Sequence, residues 1–241
     1  MGDFDFSIVG GTDAFAVQNG AFTGLIVLEE FNDPIGGVEN YDGSQGPWRG
    51  SASVIGTTSD SFSGPSAAYR ENYDNRSRKW SYPGDGLDAY PTLGSATSEG
   101  STISMAVRPR DNYVRLSFCH APGHETDGYG CYWVTFDIDT YYDDLLVQRA
   151  DEAGVTKTIG STEVSIADGD WFIVAVTIDE NGVGGHVVRL YRVDMSGGAG
   201  NGVRADLVDT LEVNDTTHRG RGIGFVHFGT GSWDALTLGL L

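Results

Sequence analysis

Short segments in which apolar and polar residues alternate recur through most of this chain, and clusters of Gly, Asn, Asp and Pro separate them. A two-residue period is that of a strand with one buried face, and turns such as Asp111-Asn112 suit antiparallel connections. No segment has helical periodicity beyond one turn. The sequence therefore predicts an all-β fold, an antiparallel β-sandwich of the jelly-roll kind. The predicted strands are 103–109, 113–121, 131–139, 144–150, 171–179, 186–194, 205–213, 222–228 and 233–241.

Acidic residues dominate the charge of the chain. There are 34 Asp and Glu against 15 Lys and Arg, and only Lys79 and Lys157 are lysines. A net charge of −19 disfavours nucleic acid as a partner, because nucleic-acid binding depends on basic surfaces. Such a charge also destabilises a compact fold by self-repulsion, unless molar salt shortens the screening length to about 3 Å. The composition therefore indicates a high-salt environment, with an ordinary solvated acidic surface as the alternative.

The first 27 residues contain no Lys or Arg, and their apolar residues come in short bursts between glycines. We expect an N-terminal arm at 1–27 that docks on a partner or on sister subunits of a homo-oligomer, followed by a sandwich at 28–241. The alternative is that the first strands of the same sandwich lie there. No apolar run approaches the roughly 20 residues of a membrane span, and the first thirty residues lack a basic segment. Neither membrane insertion nor a secretory leader is expected.

The segment CHAPGHETDGYGC at 119–131 contains both cysteines and two of the five histidines. If the flanking strands pair so that residue numbers sum to 250, Phe118 lies opposite Tyr132 and the apolar faces of the two strands coincide. The same register sets Cys119 opposite Cys131, at a separation that a small adjustment makes suitable for a disulfide. We predict that disulfide. A zinc site that adds the two histidines is the alternative, although the spacing is not that of zinc ribbons or fingers.

The other face of this predicted hairpin combines aromatic and polar side chains. In the predicted register Arg115 lies opposite Thr135 and diagonal to Trp133. Sugar recognition uses an exposed aromatic platform with polar groups around it. The candidate ligand-binding residues on this face and the adjoining loop are Tyr113, Arg115, Ser117, Trp133, Thr135, His120, His124 and Tyr129. The structural alternative is that Trp133 packs beneath another loop or a neighbouring subunit.

From residue 28 onward the order of motifs resembles the concanavalin A-like lectin/glucanase superfamily, in its laminin-G-like branch. The motifs are EEFND at 29–33, ISMAVRP at 103–109, GDWFIVAVTIDENG at 169–182, HVVRLYRVD at 186–194, GRGIGFVHFG at 220–229 and SWDALTLG at 232–239. The resemblance implies a concanavalin A-like sandwich. It also implies a structural Ca²⁺, whose matching ligand positions here are Glu30, Asn32, Asp33 and Asp234; hard cations prefer such oxygen ligands.

The resembled superfamily includes lectins, hydrolases, lyases and adhesion modules, so the fold alone does not decide the function. The E-x-D-x-x-E motif of laminarinase-like members is absent from the sequence. We therefore predict a non-enzymatic carbohydrate-binding or adhesion module. With the high-salt composition, we expect a virion surface protein, such as a tail fibre, spike or head decoration, that contacts a glycosylated host surface. The alternatives are a polysaccharide-acting glycoside hydrolase, a secreted glycan-binding domain and a purely structural virion protein.

Overall fold

The structure is a computed structural model of the chain. It describes residues 5–8, 15–18, 25–29, 42–43, 46–47, 49–50, 56–58, 62, 67–70, 78–81, 102–120, 129–138, 143–178, 185–194, 204–218, 222–227 and 230–239. Every regular element within these ranges is a β-strand, which confirms the predicted all-β class. The described ranges accordingly include no helix of the length and apolarity that a membrane crossing requires.

The strands of the described residues are numbered in chain order. They are β1 (Asp5–Ile8), β2 (Phe15–Gln18), β3 (Leu25–Glu29), β4 (Asp42–Gly43), β5 (Gly46–Pro47), β6 (Arg49–Gly50), β7 (Gly56–Thr58), β8 (Ala67–Arg70), β9 (Arg78–Ser81), β10 (Thr102–His120), β11 (Cys131–Ile138), β12 (Asp143–Ala150), β13 (Thr156–Glu163), β14 (Trp171–Ile178), β15 (His186–Asp194), β16 (Arg204–Val213), β17 (Gly222–His227) and β18 (Thr230–Gly239).

Two antiparallel sheets share the long strand β10. The first sheet has the order β16-β15-β14-β10-β18, and β18 also pairs with β3 and with β8, which pairs with β7. The second sheet has the order β13-β12-β11-β10-β17-β9-β6. Residues 102–111 of β10 pair in the first sheet, and residues 112–120 pair in the second. The chain is thus a two-sheet sandwich, as the sequence predicts.

The turn predicted at Asp111-Asn112 is absent, because β10 continues through it. Asp111 pairs with Thr230 of β18, and Asn112 pairs with Ile138 of β11. The register with β18 shifts just before this point, after Pro109, whose nitrogen cannot donate to the ladder. The polar turn residues therefore mark the place where one strand passes from one sheet to the other.

Apolar side chains from both sheets form one core between them. Val114, Leu116 and Phe118 of β10 lie opposite Phe136, Val134 and Tyr132 of β11, in the register that the sequence predicts. These side chains are buried, and the ring centroid of Phe136 lies 5.5 Å from that of Phe172 in the first sheet. Full burial of such a side chain contributes about 1.5–3 kcal/mol, so the core fixes which face of the hairpin points outward.

The N-terminal region contains three described strands. β1 and β2 pair with each other in a separate two-stranded sheet, whereas β3 pairs with β18 of the first sheet. The boundary expected between 27 and 28 falls inside β3. The docking role of the preceding residues stays a prediction.

Candidate functional site

The outer face of the β10-β11 hairpin, on the side of the second sheet away from the core, brings five of the predicted residues together. Arg115 pairs with Thr135 and Ser117 pairs with Trp133, as the sequence predicts. Tyr113 precedes them on β10, with its partner Asp137 on β11. We call the face formed by Tyr113, Arg115, Ser117, Trp133 and Thr135 the hairpin face.

Arg115 is stacked against two aromatic rings of the hairpin face. Its guanidinium carbon lies 4.4 Å from the Trp133 ring centroid and 4.9 Å from the Tyr113 ring centroid. A cation above an aromatic face is attracted by the ring quadrupole. Tyr113 and Arg115 are partly exposed, whereas Trp133 is only 4% exposed. The Trp133 ring therefore lies buried beneath the Arg115 guanidinium and is not the exposed aromatic platform that the sequence suggests.

Within the described residues, Arg115 makes neither a hydrogen bond nor an ion pair. Its Nε and the Nε1 of Trp133 are both buried, and neither has a hydrogen-bond acceptor in this part of the chain. Burial lowers the pKa of Arg115 to about 10, although Tyr113 and the diagonal carboxylate of Asp137 act in the opposite direction. The hairpin face thus holds a cation whose buried Nε has no acceptor among the described residues.

A line of hydrogen bonds extends the hairpin face across the next two strands. The buried Thr135 hydroxyl donates to Gln148 Oε1 at 2.8 Å, and Gln148 Nε2 donates to the exposed Thr158 hydroxyl at 3.5 Å. Sequence reasoning missed Gln148 and Thr158. The alternation of apolar and polar residues along 144–150 was a signal that could have assigned Gln148 to this face. Thr158 lies on β13, a strand that few apolar residues mark in the sequence.

His120 joins the hairpin face because the backbone changes its alternation just before it. Cys119 has φ of 55°, in the left-handed region, and the register with β17 shifts between Ser117 and His120. His120 Nε2 lies 2.7 Å from Ser117 Oγ, and both side chains are buried. Of the other predicted rim residues, Tyr129 packs against the cluster of Cys131, Trp133 and Ala150, and His124 lies outside the described residues.

The predicted Cys119–Cys131 disulfide is not formed: both cysteines are buried thiols that are not joined to each other. The left-handed conformation at Cys119 turns its side chain into the core between the sheets. Cys131 packs instead with Trp133 and Ala150, on the outer side of the second sheet. The predicted register is correct as far as Phe118 and Tyr132, but one residue later the two thiols lie on opposite faces.

Among the predicted calcium ligands, only Asp234 belongs to the described residues; Glu30, Asn32 and Asp33 lie outside them. Asp234 is fully buried in β18, and its Oδ2 accepts the backbone N–H of Phe62 at 2.9 Å. In the described ranges, no three residues among His, Cys, Asp and Glu group together as metal ligands. This observation applies equally to the zinc alternative. A buried carboxylate fits a calcium ligand chemically, and calcium stays a prediction.

Carboxylates form a row beside the Arg115 stack. Asp137 of β11 pairs with Asp144 of β12, which pairs with Glu163 of β13. Directly opposed residues in antiparallel strands have Cβ atoms about 4.5–5.5 Å apart, and like charges there repel each other. All three side chains are at least partly exposed. The row gives the hairpin face an acidic border next to Tyr113.

A second polar cluster holds the segment after β16 against the hairpin. The Tyr132 hydroxyl donates to Asp215 Oδ1 at 2.7 Å and accepts the His218 N–H at 3.0 Å, while Arg149 Nη1 lies 2.8 Å from Asp215 Oδ2. Burial raises the pKa of Asp215, but hydrogen bonds from Thr217 and Tyr132 and the charge of Arg149 outweigh it and lower the pKa to about 2. Burial also lowers the pKa of His218. The cluster anchors Tyr132, and with it the register of the hairpin.

No protein-family model matches the chain, and no curated protein sequence matches it. The solved structures similar to it include three at 9% identity. An endo-β-1,4-glucuronan lyase from the fungus Trichoderma reesei has a TM-score of 0.43, over 92% of this chain and 96% of that one. A xylan β-1,4-xylosidase from Bacillus halodurans C-125 has a TM-score of 0.47, over 92% of this chain and 40% of that one. The Emp47p carbohydrate recognition domain has a TM-score of 0.45, over 88% of this chain and 92% of that one. With TM-scores below 0.5, these similarities bear on neither ligand nor activity, and the sandwich architecture rests on the strand pairing itself.

Proposed function

We propose that this chain is a non-enzymatic carbohydrate-binding module and that the hairpin face is its binding site. The observation that carries the proposal is the Arg115 guanidinium, held between Tyr113 and Trp133 with no hydrogen-bond acceptor in the described residues. Sugars present apolar C–H faces together with hydroxyl groups, and binding sites for them combine aromatic rings with fixed polar groups. The partly exposed Tyr113 supplies the ring, and Arg115 supplies the donors.

The test is glycan binding by the wild-type chain and by the variant Tyr113→Ala. Tyr113 is a better probe than Trp133, because removing the buried Trp133 ring would cost about 3–5 kcal/mol of stability and confuse the result. We expect the wild-type chain to bind a subset of an array of neutral and acidic glycans, and Tyr113→Ala to weaken that binding at least about tenfold. Leu207→Ala, at a side chain that is 49% exposed on the first sheet, is the control and should bind normally. Absence of binding by the wild-type chain across the array refutes the proposal.

Glycoside hydrolysis is a second candidate, favoured by the direct opposition of Asp137 and Asp144 beside the hairpin face. Glycosidases use two carboxyl groups, about 5–5.5 Å apart in retaining enzymes and about 6.5–9.5 Å apart in inverting ones. Release of reducing sugar from a polysaccharide, lost in both Asp137→Asn and Asp144→Asn, would replace the binding proposal with this one. Glycan binding by the wild-type chain without release of reducing sugar leaves the binding module.

We further propose a virion surface protein that meets a glycosylated host surface at high salt, and composition supports this: a net charge of −19 with two lysines. Raising the salt from about 0.1 M to about 1 M shortens the screening length from about 10 Å to about 3 Å. We therefore expect the melting temperature to rise steeply with potassium chloride and to level off near molar concentration. A melting temperature that is flat over this range contradicts the high-salt environment.

A further inference from the structure

We propose that the hairpin face recognises a carboxylate, and that the preferred ligand is a glycan with a single acidic sugar in an otherwise neutral chain. This rests on the proposed function and specifies its ligand class. Two observations lead to it: the Nε of Arg115 and the Nε1 of Trp133 have no acceptor among the described residues, and carboxylates border the same face.

The donor set matches a carboxylate. A guanidinium presents five N–H donors in a planar fork that pairs with the two oxygens of a carboxylate. In Arg115 this fork is fixed by stacking, with its carbon 4.4 Å from the Trp133 ring centroid and 4.9 Å from that of Tyr113. The Nε of Arg115 and the Nε1 of Trp133 are buried without acceptors in the described part of the chain. A buried donor that folding leaves unsatisfied is costly unless a ligand supplies the acceptor.

Two other partly buried arginines differ from Arg115 in having an ion pair, although the Nε of Arg192 also lacks a hydrogen bond within the described residues. Arg149 donates to Asp215 at 2.8 Å and to Thr217 at 2.9 Å. Arg192 stacks on Phe172 at 5.5 Å, but it also lies 3.4 Å from the Asp170 carboxylate and donates to the Ser165 carbonyl. Within the part of the chain that the structure describes, Arg115 has the stacking without an ion pair to a carboxylate. The missing component is therefore the anion, and a ligand is the available source.

The surroundings favour one carboxylate over many. Asp137 is diagonal to Arg115 in the register, and Asp144 and Glu163 continue the row beyond it. These carboxylates repel a polyanion, as does a net charge of −19. They are good acceptors for sugar hydroxyls, however. A glycan that sets one carboxylate on Arg115 and neutral hydroxyl groups along the row satisfies both parts of the face.

The experiment compares three matched oligosaccharides by titration calorimetry: one capped with glucuronic acid, its methyl ester, and the glucose-capped equivalent. The ester keeps the ring and the hydroxyls but removes the charge. A charge-assisted pair to Arg115 should make the acid bind about tenfold or more tightly than the other two. Arg115→Gln should lose this difference, and Arg115→Lys, which keeps the charge but not the fork, should retain only part of it. Arg192→Gln is the matched control and should retain all of it.

The outcomes separate this inference from the proposed function. Equal binding of the three oligosaccharides by the wild-type chain overturns the carboxylate and leaves carbohydrate binding in place. Binding of neutral glycans from the array, with none of the three oligosaccharides bound, has the same two consequences. Failure to bind any glycan overturns both. An acid preference that survives in Arg115→Gln overturns the assignment to Arg115. The acid–ester comparison on the wild-type chain needs no variant, so it decides the ligand class even where a variant fails to fold.

Discussion

Replacing Arg115 with methionine should leave the free energy of unfolding nearly unchanged. Burial lowers the pKa of Arg115 from 12.5 to about 10, which at about 1.4 kcal/mol per pH unit is a cost of about 3 kcal/mol on the charged form in the folded state. Below about pH 10 Arg115 is charged in both the folded and the unfolded chain, so this whole cost is present at pH 7. It is relieved only as the pH rises above about 10. Methionine has no charge to desolvate and removes the cost.

The stacking of Arg115 opposes that cost. Its guanidinium contacts the rings of Tyr113 and Trp133, and each partly desolvated contact of this kind contributes about 1–2 kcal/mol. Two contacts therefore give about 2–4 kcal/mol, close to the cost of burying the charge. Methionine keeps apolar contact with both rings. The net change expected for Arg115→Met is within about 1 kcal/mol of zero.

The assay is guanidinium chloride denaturation at pH 7 of the wild-type chain, Arg115→Met and Arg149→Met. The second variant is the contrast, because Arg149 has both an ion pair and a hydrogen bond, and its loss leaves Asp215 without its cation. We expect Arg149→Met to lose about 2–3 kcal/mol. A comparable loss in Arg115→Met would refute the reasoning, because it would make Arg115 a residue of the fold. A near-zero change with loss of acidic-glycan binding marks a residue retained for its ligand.

Three further predictions concern other parts of the structure. Tyr132→Phe should lose about 1–3 kcal/mol of stability. The Asp215 pKa of about 2 gives stability that is present above its ordinary value and lost as the pH falls toward 2, so acid unfolding of this variant, followed by circular dichroism, should begin at higher pH; an unchanged midpoint contradicts this. Alkylation in denaturant without reductant should label both Cys119 and Cys131, whereas an unlabelled chain would reveal a disulfide. If calcium binds at Asp234, chelator should lower the melting temperature of the wild-type chain but not that of Asp234→Asn; equal wild-type values in calcium and chelator exclude the ion.

The register of the hairpin could be predicted because only one alignment buries both apolar rows. Phe118 must meet Tyr132 for the two inward faces to coincide, and a slip by one residue would expose them. The left-handed backbone at Cys119 has no signal in the sequence, since left-handed positions usually carry Gly or Asn. That one dihedral angle moves Cys119 into the core and brings His120 to Ser117.

The burial of Trp133 and the polar strand β13 could not be predicted for a different reason. Alternation assigns a residue to a face but does not tell what lies over that face, and here the Arg115 guanidinium lies against the Trp133 ring. β13 is an edge strand whose side chains are mostly exposed, so it lacks the apolar period that identifies a strand. Its Thr162 hydroxyl donates to Asp209 of β16. That contact joins edge strands of the two sheets, and only the tertiary structure specifies it.

The shared strand β10 makes folding of the hairpin face depend on residues far along the chain. Val107 pairs with Trp233 and Arg115 pairs with Val226, so both halves of β10 pair with strands near the end of the chain, β18 and β17. Contacts between residues so distant in sequence make folding slow, because the entropy of closing a long loop is lost before the paired strands contribute stability. A hairpin excised from residues 102–138 would therefore lack the neighbours that hold Arg115 in place, and the proposed sugar site should not be transferable as a short peptide.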